Sequence, residues 1–230
     1  MAYLVFIGQL ILGWAMFMFF VYGRVLEGNL LEPIVSQYIF SIIPVIVQMF
    51  FVPALTMRLL SEEKRSGTLE VLLTAPVNEI SVVLGKFFAC WILYMLLWLP
   101  TWLFLVALRY MGNEPFDYRP ILSFTIALAA ISAGLLAMGL FFSSLTTNQL
   151  IAAVFTFVGM MSHLVLYFME YQFGRPGTAL TELLGYVNFL DFWDDSLRGT
   201  IAPRFFIFHL SVAVFFLFAT VKVLESRKWK

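Results

Sequence analysis

Six long apolar runs separated by short polar interruptions make up the chain, at residues 3–22, 36–57, 81–108, 120–142, 149–169 and 204–223. A helix needs about 20 apolar residues to cross the hydrocarbon core of a bilayer, and each run has about that length. None shows the alternation of a barrel strand. Backbone N–H and C=O groups find no water in lipid, so helix is the expected form throughout. The pattern therefore predicts an all-α membrane protein, a single domain over 1–230 with six transmembrane helices. Pro44, Pro53 and Pro100 fall inside runs and predict kinks that neighbouring helices accommodate.

The most informative interruption is 58–80. Glu62, Glu63, Lys64 and Arg65 are four consecutive charges. Each costs about 2.5–3.5 kcal/mol at the centre of a lipid-embedded helix, so this segment belongs in water or against a soluble partner. Ser61 is placed to cap a short helix, with Glu62 and Glu63 in the first turn where the helix dipole favours anions. Gly67 lets the chain turn. A second short helix is expected over 68–74, with Leu69, Leu72 and Leu73 as one apolar stripe and Glu70 and Thr74 beside it. Pro76 stops it, and Asn78 can cap the long helix that begins near Ser81. Such a two-helix platform on one face of a membrane protein reads as a docking surface. The alternative is a solvated loop with an interfacial turn.

Composition agrees with membrane burial. Residues are 62% hydrophobic and only 12% charged, where soluble domains carry about 25% charge. A net charge of zero argues against a nucleic-acid partner held by bulk electrostatics. The lone Cys90 lies in an apolar run and reads as a small buried hydrophobe, not as part of a disulfide or metal cluster. The first run starts next to Met1 without a basic lead, unlike a cleavable signal. If both termini share one side, that side carries eight basic and five acidic residues and the opposite side six and nine. The positive-inside rule makes the first side cytoplasmic, with both termini in and the platform facing the cytosol.

Other chemistry is sparse. Gly85-Lys86 is followed by Phe87 and opens a span, so it is no phosphate loop, and the chain is not expected to hydrolyse ATP. Segment 174–203 is too long for a turn. Leu180, Leu183, Leu184, Val187 and Leu190 recur there at helical spacing, which fits an external interfacial helix. Asp191, Asp194 and Asp195 crowd its far end but match no metal-loop spacing. His163 and His209 are ionisable groups within spans, more often hydrogen-bonded interior histidines than catalysts. Gln48, Thr56, Thr156 and His163 are candidate pathway positions, and the same side chains serve equally as helix–helix glue.

The strings Pro53-x-x-Thr56-Met57-Arg58, Glu62 through Glu70-x-Leu72-Leu73-Thr74-x-Pro76-Val77 and Gly85-Lys86 resemble the permease of a type-2 ATP-binding-cassette (ABC) exporter. The tail Leu224-Glu225-Ser226-Arg227-Lys228-Trp229 is similar to that of the gliding-motility branch of this family. The resemblance spans nearly the whole chain. It implies a permease of the bacterial inner membrane in which Arg58, Glu62, Glu63, Lys64, Arg65, Gly67, Thr68, Leu69, Glu70, Leu72, Leu73, Thr74 and Pro76 form the coupling helix and its lead-in. A groove on a separate ABC ATPase subunit would receive them, with ATP and Mg bound by that partner and no cofactor in this chain. Two permeases, identical or paralogous, and two ATPases would complete the transporter. Segment 174–203 would be a pair of re-entrant helices closing the outer mouth. Family members commonly begin with an amphipathic elbow helix, for which Met1 to Tyr3 leave no room. The competing expectation is a non-transporting scaffold or intramembrane enzyme whose platform only recruits a cytosolic protein.

Overall fold

The computed structural model describes residues 2–22, 39, 42–69, 78–112, 118–173, 185 and 188–226. Among these the helices are α1 (Ala2–Phe20), α2 (Ile42–Thr56), α3 (Ser61–Ser66), α4 (Glu79–Leu97), α5 (Leu99–Gly112), α6 (Arg119–Leu145), α7 (Gln149–Phe173), α8 (Phe189–Leu197) and α9 (Pro203–Glu225), and no strand is present. Among the described residues six stretches are long and apolar enough to cross a membrane: Tyr3–Phe20, Pro44–Ser66, Glu79–Ala107, Arg119–Leu145, Gln149–Met169 and Pro203–Glu225. Each contains one apolar run of the sequence or most of it, and the second stretch continues past its run through the charged α3.

The third span is interrupted beside its proline, where a kink is expected. It breaks at Trp98, between α4 and α5. A proline at position 100 has no N–H, and in a continuous helix its ring would crowd the carbonyl of Leu96. That carbonyl instead accepts the backbone N–H of Trp98. Pro53, by contrast, lies within a continuous α2. Pro44 sits in the first turn of that helix, where a missing N–H removes no intrahelical bond. Asn78 caps α4 as expected, its side chain accepting from the Ile80 N–H at 3.1 Å.

α6 is the hub. It is 27 residues long, every residue from Ala130 to Leu140 is buried, and it touches α2, α3, α4, α7, α8 and α9. Small residues permit this, because helix association in lipid relies on close backbone approach. A Cβ on Gly134 would come within 3.3 Å of the His209 carbonyl on α9, and one on Gly139 within 2.7 Å of the Thr56 Cβ on α2. Trp91 of α4 adds a hydrogen bond to the Ala129 carbonyl at 3.0 Å. α1 and α7 lie at the periphery, with Leu4, Ile11 and Phe19 of the first and Leu150, Val154, Val158 and Phe168 of the second exposed. These faces suit contact with hydrocarbon.

The tightest of these approaches sets a stability test. Gly139→Ala is expected to lower stability by about 1–3 kcal/mol through overpacking against Thr56. Thermal melting of the detergent-purified protein should show the loss, and adding Thr56→Ala, which removes both the crowding hydroxyl and the methyl, should recover part of it.

Candidate functional site

α2 ends at Thr56, the chain turns through 57–60, and the charged helix α3 starts at Ser61. The residue in cap position is Leu60, which has no side-chain acceptor. The expectation that Ser61 caps α3 is corrected here: Ser61 is the first helical residue, and its hydroxyl donates to the Met57 carbonyl. The capping oxygen comes from a different helix. Oγ of Ser143, near the end of α6, accepts the backbone N–H groups of Leu60 and Ser61, each at 3.1 Å, and donates to the Met57 carbonyl at 3.2 Å. A hydroxyl offers one donor and two acceptor lone pairs, and all are used. Leu60, Ser61 and Ser143 are all fully buried.

Charges on α3 follow its dipole, Glu62 and Glu63 in the first turn and Lys64 and Arg65 in the last. Gly67 ends the helix in the left-handed region, φ 74°, with its N–H toward the Lys64 carbonyl at 3.4 Å. Ser66 and Thr68 hydroxyls lie 2.8 Å apart across this turn. Thr68 and Leu69 resume helical backbone, and Leu69 is buried. Glu70, Leu72, Leu73, Thr74 and Pro76 lie outside the described residues, and with them most of the expected second helix.

The platform therefore has two sides. Arg58, Glu62, Arg65, Gly67 and Thr68 are exposed, while Glu63 and Lys64 are half-buried. Glu63 is engaged by Lys86 of α4, with Nζ–Oε1 at 2.5 Å. α3 is thus fastened to α6 through Ser143 and to α4 through Lys86.

At the opposite end of the bundle, α8 is the described helix of the segment 174–203. Residues 174–184 lie outside the described residues, so Leu180, Leu183 and Leu184 do too, as does Val187. Asn188 caps α8 by accepting from the Leu190 N–H at 3.0 Å. Trp193 packs edge-on against Phe124 of α6 and Trp98, with ring centroids 4.8 and 5.8 Å away. Phe192 stacks on Phe205 of α9 at 5.4 Å. Ser123 of α6 donates its hydroxyl to the Ser196 carbonyl at 2.6 Å. Asp194 pairs with Arg198 at 2.7 Å, and among the described residues no cluster of three or more His, Cys, Asp or Glu is placed to hold a metal.

Of the four candidate pathway residues, His163 lines a small cleft and the other three bond within the bundle. Gln48 donates to the Gln9 side chain of α1 at 3.1 Å, both buried. Thr56 and Thr156 are fully buried and return their hydroxyls to the carbonyls of Val52 and Ala152 in their own helices. His163 places Nδ1 3.0 Å from the Gly159 carbonyl. It lines a small cleft with Gly134, Met138, Phe189, Phe208 and His209. His209 has the same local bond, Nδ1 to the Phe205 carbonyl at 2.8 Å. Since a carbonyl only accepts, each ring carries its proton on Nδ1.

Sequence reading missed Ser143, Ser123 and Gln9. Ser143 stood at the polar end of an apolar run and read as punctuation. Gln9 was the one signal available, an amide within the first run. The attachment of α3 to α4 is directly testable. Lys86→Met should release the half-buried Glu63, at a cost of about 1 kcal/mol. Limited tryptic cleavage after Arg65 in proteoliposomes should then speed up about fivefold. Adding Glu63→Gln to Lys86→Met should have little further effect.

A family model for ABC-2 family transporter proteins matches residues 27–221. No curated protein matches the chain, and no solved structure does. The match covers four of the six candidate spans whole and most of a fifth, together with the platform. With the apolar helices it makes the chain a multi-pass integral membrane protein of a kind that partners an ABC ATPase subunit. The chain belongs to the ABC-2 family of transporter proteins.

Proposed function

We propose that this chain is the permease subunit of an ABC exporter and that residues 58–76 are its cytoplasmic coupling element, received by a separate ATPase subunit. The observation that carries the reading is the two-sidedness of α3. Its outward face presents Glu62 and Arg65, and its inward side is tied to two spans at Ser143 and Lys86. A docking lever needs both properties, since a free loop would absorb a push without moving the bundle.

On this reading ATP and Mg belong to the partner, and the termini and platform face the cytosol of a bacterial inner membrane. Two permeases, identical or paralogous, assemble with two ATPases. ATP-driven closure of the ATPases displaces the platform, and the spans switch between two packed arrangements. Segment 174–203, with α8 docked on α6, closes the external mouth. Gln48, Thr56, Thr156 and His163 reach cargo only when α2 and α7, which pack together, move apart. The resemblance of the tail, Leu224 to Trp229, to that of the gliding-motility branch supports a place in that branch.

The structure selects the residues to test. Glu63 reversal would also break the pair with Lys86, whereas Glu62 and Arg65 are exposed. Glu62→Lys combined with Arg65→Glu should cut co-purification of the ATPase at least about tenfold, a loss of about 1.4 kcal/mol, with melting temperature unchanged. Leu72→Asp should do the same. If the ATPase stayed bound through all three changes, or if an impermeant amine reagent labelled Lys64 from outside intact cells, the reading would be overturned.

A further inference from the structure

α6 carries a serine at each end that bonds a different peripheral element. Ser143 caps the start of α3, and Ser123 holds the Ser196 carbonyl at the end of α8. Twenty residues of helix separate them, about 30 Å, which is the thickness of the hydrocarbon core. Both serines are buried. Between them lies the most enclosed part of the protein, so α6 has little room to bend or slip locally. Ser123 also has the Arg119 and Pro120 carbonyls of its own helix at 3.0 and 3.1 Å, but its shortest bond, 2.6 Å, crosses to Ser196. Thr56, Thr125, Thr156 and Thr220 instead bond a carbonyl of their own helix.

We infer that α6 is a relay rod, with Ser143 and Ser123 as the positioning residues that join the platform to the external helix. A displacement of α3 cannot leave the Leu60 and Ser61 amides behind without stranding two buried donors, so it carries the end of α6 with it. The other end of α6 then loads the Ser196 carbonyl. That carbonyl also accepts the Gly199 N–H at 3.1 Å, in a turn where Gly199 has φ 85°. The inference rests on the proposed coupling role for what moves the platform, but the linkage itself exists within the permease alone.

Coupling of this kind is reciprocal, so perturbing either end should register at the other. Hydrogen exchange of the purified permease without ATPase is the decisive measurement. Ser143→Ala should raise exchange at Leu60 and Ser61, and should also raise it about fivefold at Gly199. Ser123→Ala should loosen Gly199 and, reciprocally, Leu60 and Ser61. Thr220→Ala, which removes an equally buried hydroxyl from α9, should leave both ends unchanged. If each serine variant affects only its own end, or if Thr220→Ala reproduces the far-end effects, the relay is wrong. In a second arm the co-purifying ATPase and ATP with vanadate are added. Exchange should then change at both ends of the wild type but only at the platform in Ser143→Ala. An ATPase that fails to bind wild type would sink the proposed docking and leave the first arm to decide the relay.

Discussion

One serine oxygen accepting two backbone amides is the contact on which the functional end of this molecule depends. Where a chain leaves a lipid-embedded helix and starts another, the first N–H groups of the new helix lack intrahelical partners. Each stranded in the interior would cost about 1–3 kcal/mol. Leu60 cannot relieve this with its own side chain, and its full burial is what seats the turn against the bundle. Ser143 supplies the missing acceptor from α6. The same atom therefore ends one structural problem and creates a mechanical attachment, because the platform helix exists in this position only while α6 is beside it.

The wider bundle follows from how little polar material it contains. Most hydroxyls in the spans are satisfied within their own helix and add nothing between helices. Among the described residues, side-chain bonds that cross between elements gather on α6, at the Gln9–Gln48 contact of α1 and α2 and at the Glu63–Lys86 pair of α3 and α4. Elsewhere the helices are joined by shape. Gly134 and Gly139 let α9 and α2 approach α6, and a cluster of Trp98, Phe124 and Trp193 seats α8 at the far end. Bundles held by packing switch between discrete arrangements more readily than they deform, which suits a transporter.

Element by element, the spans were legible because apolar length is a local property that no tertiary partner can reverse. The platform was legible for the matching reason: four adjacent charges forbid lipid burial wherever the rest of the chain lies. Asn78 capped α4 as its position implied, since an N-cap acts on amides two residues away. Local rules failed where a distant group competed. Ser61 had the right chemistry to cap α3, yet packing of the turn against α6 puts Leu60 in the cap position, and Ser61, one residue inside the helix, turns its hydroxyl back to Met57. Pro100, by contrast, marked the interruption at Trp98, since the ring forbids the local helical bond whatever packs around it.

Hydrophobicity, charge and capping chemistry are written residue by residue, and they suffice to specify a six-span helical membrane protein with a polar platform between its second and third spans. Which helix sits at the centre, and which serine reaches which amide, are not properties of any segment. Leu60 and Ser143 are 83 positions apart, and their meeting depends on the packing of α6 against α2, α3 and α7 together. Only the assembled bundle decides a contact of that range, since it requires every intervening helix to be in register before either residue gains a partner.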